Sequence, residues 1–589
     1  MSTSAPSPTT SAPRATPQAT IRIDTRHEAG RIDRRIYGHF LEGHFFGNIQ
    51  GGVFEEGSPL SNTEPGVTHG LRADVIDACR TLGLPVVRWP GGNYASAYHW
   101  EDGIGPRDAR PTRLELTWGG QDGMSMEEDN RFGTDEFLAW CALTGAEPYL
   151  NINCRSVEEA VRWLEYTNYA GRSHYADLRR QNGHAEPYGV SIWGIGNEVY
   201  GPWQMGYRGA DKYAADAREH ALFMRKVDPS IRLVGVGLGR GEAGEVWTRA
   251  LLRRAGSLLD YVSIHLYGAS RHLFSAGQHA GQGASASDSG DDEFETTVAQ
   301  SLYFEEELRD YAGLVALEAQ RAGITRPLAL TLDEWNIRHL EPHSWPIPRP
   351  GDDGGIAPRD IPSDAPADPR VDATTGRNRM RVNRWSPRTA ADALFYAGVF
   401  HAMQRLAGHT VPVGMANTVN LINANGLLAV RPGGLVKSTT YHVWDLLQNR
   451  TGPIALPVIV EGPGILRAVR QGAQTDTDGQ PLSRPGLVPY LDAAATFSED
   501  RRTLHLSVIN RHRTDAISAR LLADEHGDGL PPRAQTVQLG TDVDEVLASN
   551  SITSPDRVAL RDLGTVEVPD GQYTFPPHSL TLLTFSLAR

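Results

Sequence analysis

The sequence predicts a (β/α)8 barrel followed by an antiparallel, jelly-roll type β-sandwich that also takes in an N-terminal strand. Three observations predict it. Eight short apolar runs alternate with amphipathic segments through the first three quarters of the chain. After about residue 440 the pattern changes to short β-rich runs separated by turn residues. With 589 residues the chain is also too long for one ordinary domain.

The elements follow in order. Residues 1–19 are a Ser/Thr/Pro/Ala head that cannot bury enough surface to order itself. The run TIRID at 20–24 has no parallel partner in a barrel, so 20–35 is expected to cross over and join the sandwich. The barrel is expected over 36–436, with strands at 36–42, 85–89, 147–153, 189–196, 231–238, 261–267, 328–333 and 411–422. These runs are continuous in Val, Ile, Leu and Tyr rather than alternating, as parallel strands covered on both faces require. Helices are expected between them at 70–82, 135–144, 157–168, 211–227, 303–321 and 389–407. Thr134 is placed to cap the second, and Ser156 with Glu159 reads as a capping box for the third. Two stretches, 269–293 and 343–386, are rich in Gly, Pro, Asp and Ser without periodicity and read as long loops. The sandwich is expected over 437–589, with strands at 503–509, 517–522, 536–539, 558–560 and 580–587.

Composition removes several function classes. Lys plus Arg is 57 against 71 for Asp plus Glu, a formal charge of −14. A surface that acidic repels phosphate backbones, so a nucleic-acid partner is not expected. Cys79, Cys141 and Cys154 form neither a disulfide framework nor a C-x-x-C pair. The first twenty residues lack the apolar core of a signal peptide, and no run approaches a membrane span. A cytoplasmic location follows as the expectation. No G-x-S-x-G elbow occurs, and no G-x-G-x-x-G follows a strand.

In such a barrel the chemistry sits just past the C-terminal strand ends. The fourth run ends in Asn197–Glu198 and the seventh in Asp333–Glu334. The first ends at Glu42, the second at Arg88 and Asn93, and the sixth at His265 and Tyr267. Glu198 and Glu334 are thus expected to meet across one mouth, and two facing carboxylates are the machinery of glycoside hydrolysis. One acid after a strand means little among 71; Asn–Glu after one strand and Glu–Trp–Asn after another means more. His39 and His44 are five apart on a presumed strand and do not form H-E-x-x-H, so both are read as structural. No metal and no cofactor is expected. Trp100, outside any strand, is expected to face solvent or a sugar ring.

The motifs VRWPGGNYAS (87–96), YHWEDGIGP (98–106), WGIGNE (193–198), GPWQMGY (201–207), HLYG (265–268), DEWN (333–336) and PPHSLTLLTF (576–585) resemble glycoside hydrolase family 51. That family is best known for α-L-arabinofuranosidases. The resemblance implies a barrel plus jelly-roll sandwich and a retaining exo-acting mechanism on arabinofuranose-containing oligosaccharides or polysaccharides. It casts Glu198 as the general acid/base and Glu334 as the nucleophile. It assigns Glu42, Arg88, Asn93, Asn197 and Tyr267 to the sugar, and Asn417 where the family pattern has Gln. It further implies a homohexamer and no metal. Arg88, if near Glu334, should hold that carboxylate charged, whereas burial and a neighbouring negative charge should raise Glu198. Other sugars stay open on the residues alone: another furanoside, a β-xyloside or an endo-glucan. So do a glycan-binding barrel without activity and an assembly role for the two long loops.

Overall fold

The computed structural model describes residues 18–43, 47–121, 124–270, 290–342, 380–475, 481–524, 529–541 and 545–587. Eight parallel strands close a barrel. In order they are Gly38–Phe40, Val86–Trp89, Glu147–Ile152, Ile192–Ile195, Arg232–Gly235, Tyr261–Ser270, Ala329–Pro342 and Val413–Thr418. The ring shuts where Asn417 pairs with Gly38 and Thr418 with His39. All eight lie within or overlap the expected runs. Strands such as VVRW and IWGI are buried at every position, since helices cover their outer face and side chains fill the inner one.

The bottom of the barrel is plugged by Val86, Tyr149, Ile192, Val234, Tyr261 and Met415. The opposite end, where the strands finish, is the end of the barrel open to a ligand. Strands six and seven differ from the rest. Between Ser263 and His265 the sixth strand advances two residues while its partner advances three, from Thr331 to Glu334. This bulge breaks the two-residue alternation and lets the adjacent Asp333 and Glu334 both turn toward the interior.

The helices Ala73–Leu82, Thr134–Thr144, Val157–Asn168, Ala210–Val227 and Ala390–Arg405 stand close to expectation, whereas the helix expected at 303–321 is Gly290–Arg321 and so takes in the last four residues, 290–293, of the stretch expected to be a loop. Ser156 Oγ accepts from Glu159 N at 3.1 Å, so the cap forms. Its reciprocal half does not: the Glu159 carboxylate instead meets His99 Nδ1 at 3.1 Å. Thr134 is not the cap of its helix but its first residue, and Gly133 precedes it as N-cap. Helices His174–Gln181, Glu242–Ala255 and Thr439–Asn449 were not foreseen.

The C-terminal sheets form a sandwich. One sheet has seven strands, with Thr503–Asn510 and Ser579–Ser586 at its centre. The other has four and contains Ala19–Ile23, which pairs antiparallel with Val458–Glu461 and parallel with Ile517–Ala523. The N-terminal strand therefore joins the sandwich as expected, through one parallel pairing in an otherwise antiparallel layer. Leu504, Leu506 and Val508 alternate along one strand into the shared core with Ile21, Ile23 and Phe575. The run 558–560 is a correction: the strand there is Leu560–Glu567, mostly exposed and too polar to be read as one. The loop segments 271–289 and 343–379, and His44, lie outside the described residues. Residues 269–270 belong to the sixth strand, and Met380–Val382 pairs with the end of the seventh.

Candidate active site

The mouth of the barrel gathers Glu42, Arg88, Asn93, Asn197, Glu198, His265, Tyr267, Asp333 and Glu334. Arg88 enters from the second strand and is 1% exposed. Its Nη1 donates to Glu334 Oε1 at 2.9 Å and its Nη2 to Asn197 Oδ1 at 2.8 Å. Tyr267 OH donates to the other Glu334 oxygen at 2.8 Å. Both oxygens of Glu334 are thus fixed by donors from different strands. Asn197 Nδ2 reaches Asn93 Oδ1 at 3.3 Å. Glu42 Oε1 accepts from the Tyr94 backbone N–H at 3.0 Å.

Two glycines after the second strand make this convergence possible. A Cβ on Gly92 would lie 2.4 Å from Glu334 Oε1, and one on Gly91 would lie 2.6 Å from the Glu42 side chain. Any other residue at either place would push a carboxylate out of the mouth. Glu198 itself has φ +41°, a left-handed conformation that costs a non-glycine residue about 1–3 kcal/mol. The strain lies in the turn that aims its carboxylate inward.

His265 is the centre of the electrostatics. Its Nδ1 lies 2.8 Å from Glu198 Oε1 and 3.5 Å from Glu334 Oε2, and its Nε2 lies 3.4 Å from Asp333 Oδ1. Burial alone would strip its charge, but the Glu334 charge and contacts with Asp333 and Glu198 outweigh it and push the ring up to about 10. Burial would likewise raise Glu198, yet the hydrogen bond and charge of His265 lower it to about 2. The expectation of a raised Glu198 is therefore corrected for the free enzyme: the shared proton rests on the imidazole. Asp333, despite burial, is held at about 2, chiefly by the Arg88 charge and His265. Its other supports are Tyr149 OH at 2.9 Å and Ser263 Oγ at 2.6 Å. Glu42 is raised to about 7 by burial and the Glu334 charge, against the Tyr94 N–H and Trp118 hydrogen bonds and the Arg384 charge.

Glu198, His265 and Glu334 each offer an atom within 4.8 Å of the others, a spacing that a metal ion could also use. Both ring nitrogens of His265 face carboxylates, however, and a doubly protonated ring has no lone pair for a metal. A proton fills that role with the residues present. The short separation of the Glu198 and Glu334 oxygens suits attack and protonation at one carbon rather than the wider gap that admits a water between them.

Two expected site residues lie elsewhere. Trp100 is 1% exposed, with its ring parallel to Trp163 at 6.1 Å and its Nε1 donating to Glu159 O at 3.2 Å. Its short 3-10 turn folds onto the helix Val157–Asn168 and makes it core, so it meets no sugar. Asn417 is fully buried, and its Nδ2 donates to His39 O at 2.8 Å, level with the start of the first strand. The short side chain is tied to the barrel wall below the mouth. His39 stacks on Trp444 at 5.4 Å on the outer side. Trp203 was not singled out for the site, although GPWQ marked its loop: it is 64% exposed, and its Nε1 donates to Glu198 Oε2 at 2.9 Å.

Comparison with known proteins agrees with this geometry. Residues 78–282 match the family described as the α-L-arabinofuranosidase 1 domain, and residues 333–579 the α-L-arabinofuranosidase C-terminal domain. The chain is 32% identical over 587 residues to α-L-arabinofuranosidase C of Emericella nidulans, covering 96% of each. It is 29% identical to an intracellular exo-α-(1→5)-L-arabinofuranosidase of Halalkalibacterium halodurans, covering 85% of this chain and 86% of that one. Among solved structures, the family 51 α-L-arabinofuranosidase of Thermotoga petrophila superposes with a TM-score of 0.76 at 32% identity, over 96% of this chain and all of the other.

Proposed function

Because the chain belongs to glycoside hydrolase family 51, we infer that it is a retaining, exo-acting α-L-arabinofuranosidase. The observation that carries the mechanism is the approach of Glu198 and Glu334 oxygens to within 4.8 Å. Glu334, held by Arg88 and Tyr267, is the nucleophile: its oxygen bonds to the anomeric carbon as the glycosidic bond breaks. Glu198 passes a proton to the departing oxygen, and His265 is its source. A water then enters, gives its proton back to Glu198, and hydrolyses the glycosyl-enzyme. Asn197, Asn93 and Glu42 line the place where the sugar's hydroxyls lie. Hydrolysis of 4-nitrophenyl α-L-arabinofuranoside, with its pyranoside and galactofuranoside analogues left intact, is the expected result. Equal rates on all three would overturn the sugar assignment.

The His265 arrangement sets the pH dependence. A group raised to about 10 keeps its proton through neutrality and loses it as pH rises past that value. The alkaline limb of kcat/KM is therefore expected well above pH 8. In His265→Gln the imidazolium is gone, and Glu198 must hold the proton itself. Burial then raises its affinity while the Trp203 hydrogen bond and the Arg338 charge lower it, so the alkaline limb should move down by several pH units. An unmoved limb would refute the proton-sharing role.

The further features rest on the family alone. The enzyme is proposed to be a homohexamer of the 64.3 kDa chain, checked by its mass in solution. Its proposed place is the cytoplasm, supported by the intracellular relative from Halalkalibacterium halodurans and testable by fractionation. Among the described residues no helix is long and apolar enough to cross a membrane.

A further inference from the structure

We propose that Arg338 forms a binding site for a carboxylate on the leaving-group side of the substrate, so that arabinofuranosides attached to a uronic acid are preferred. The proposal rests on the arabinofuranosidase reading and narrows its substrate class. The seventh strand continues outward past Glu334, and Arg338 lies four residues further along it. The guanidinium folds back over the Tyr267 ring, 3.5 Å from its centroid. The hydroxyl of that same ring holds Glu334, so the cation sits one tyrosine ring away from the reacting centre.

What sets Arg338 apart is its lack of an anion. Among the described residues it forms no ion pair and no hydrogen bond, and it is half-buried. Among the described residues the fully buried arginines, by contrast, all have oxygen partners. Arg72 meets Glu55 and Asp74, and Arg388 and Arg179 donate to backbone carbonyls. A guanidinium stacked flat on an aromatic face keeps its N–H fork free in the ring plane. That fork matches the two oxygens of a planar carboxylate.

Position decides which part of the substrate it meets. In an exo-acting pocket the terminal sugar fills the closed end, and the rest of the molecule leaves through the mouth. Arg338 comes from the stretch of strand beyond Glu334, toward that mouth. It therefore faces the second sugar and not the arabinose ring. A hexuronic acid there would bring a carboxylate to the unpaired fork. The competing explanation is that Arg338 only offsets the negative charge of Glu42, Glu198, Asp333 and Glu334. In that case every substrate would suffer alike from its loss.

The test compares 4-carboxyphenyl with 4-carbamoylphenyl α-L-arabinofuranoside, which differ in charge at nearly constant shape. It uses the full-length enzyme, Arg338→Met and Arg338→Lys, at low ionic strength, with melting temperatures as a folding control. In Arg338→Met the carboxylate-to-carboxamide ratio of kcat/KM should fall at least tenfold, mainly through KM, with partial recovery in Arg338→Lys. In the wild type, 0.5 M salt should shrink the same ratio. Free galacturonate should inhibit hydrolysis of the carboxamide substrate, and only while Arg338 is present. An unchanged ratio, or equal losses on both substrates, overturns the proposal. Failure of the wild type on the neutral carboxamide sinks the arabinofuranosidase reading itself.

Discussion

Glu334→Ala should lower kcat for 4-nitrophenyl α-L-arabinofuranoside by about four orders of magnitude, which at about 1.36 kcal/mol per tenfold is about 5 kcal/mol of barrier. Removing the nucleophile closes the covalent route altogether. A better leaving group therefore should not help: a 2,4-dinitrophenyl glycoside should suffer the same loss. The alanine leaves a small cavity between Arg88 and Tyr267, and both donors remain. Azide fits such a space and would attack from the vacated side. The product should then be the inverted glycosyl azide, formed in one displacement. Glu334→Ala also strips Arg88 of one buried carboxylate and leaves Asp333 as its remaining buried counter-charge, and weakening a buried ion pair is destabilising. Glu334→Gln keeps the volume and one acceptor, so it separates chemistry from folding. Wild-type rates in Glu334→Gln, or a retained azide product from Glu334→Ala, would overturn the assignment.

The barrel was legible because its strands are covered on both faces, and double burial leaves an uninterrupted apolar run in the sequence. The strand end then points to the chemistry, which is why Glu42, Arg88, Asn197, Glu198, Tyr267 and Glu334 could be named from their place after such runs. Trp100 failed for the complementary reason. Nothing in the local residues WEDG says that a neighbouring helix will cover the ring; only the tertiary contact with Trp163 does. Asn417 was carried from a family pattern, and the hydrogen bond to the His39 carbonyl that holds its amide on the barrel wall is a tertiary contact. The partnership of Asp333 with Glu334 was hidden by the alternation rule itself. Adjacent strand residues should face opposite ways, and a bulge between the sixth and seventh strands cancels that. The proton on His265 needs three carboxylates from two strands to assemble around it, a long-range sum that no sequence window contains. The exposed strand Leu560–Glu567 escaped because a sheet edge facing water has no apolar signature.

For Glu198→Ala the size of the effect should depend on the leaving group, and that dependence is the diagnosis. A sugar or alkyl alcohol departs as a strongly basic alkoxide unless it is protonated during bond breaking. Without Glu198 that proton is missing, since His265 is oriented toward the Glu198 oxygen at 2.8 Å and not toward the substrate. Losses of about three to four orders of magnitude are expected for oligosaccharides, at the upper end of what a positioned acid contributes. A 2,4-dinitrophenolate leaves without help, so formation of the glycosyl-enzyme should slow by less than about tenfold. The second step still lacks its base. The glycosyl-enzyme should therefore accumulate, visible as a burst of phenol followed by slow turnover. Azide, which needs no base, should relieve that block and give a glycosyl azide of retained configuration, opposite to the product expected from Glu334→Ala. The alkaline limb of the pH profile should vanish as well, because the proton held by the Glu198–His265 pair no longer matters to a leaving group that needs none. Equal losses for dinitrophenyl and oligosaccharide substrates, or an inverted azide, would remove Glu198 from the acid/base role and leave it as a charge that merely steadies His265.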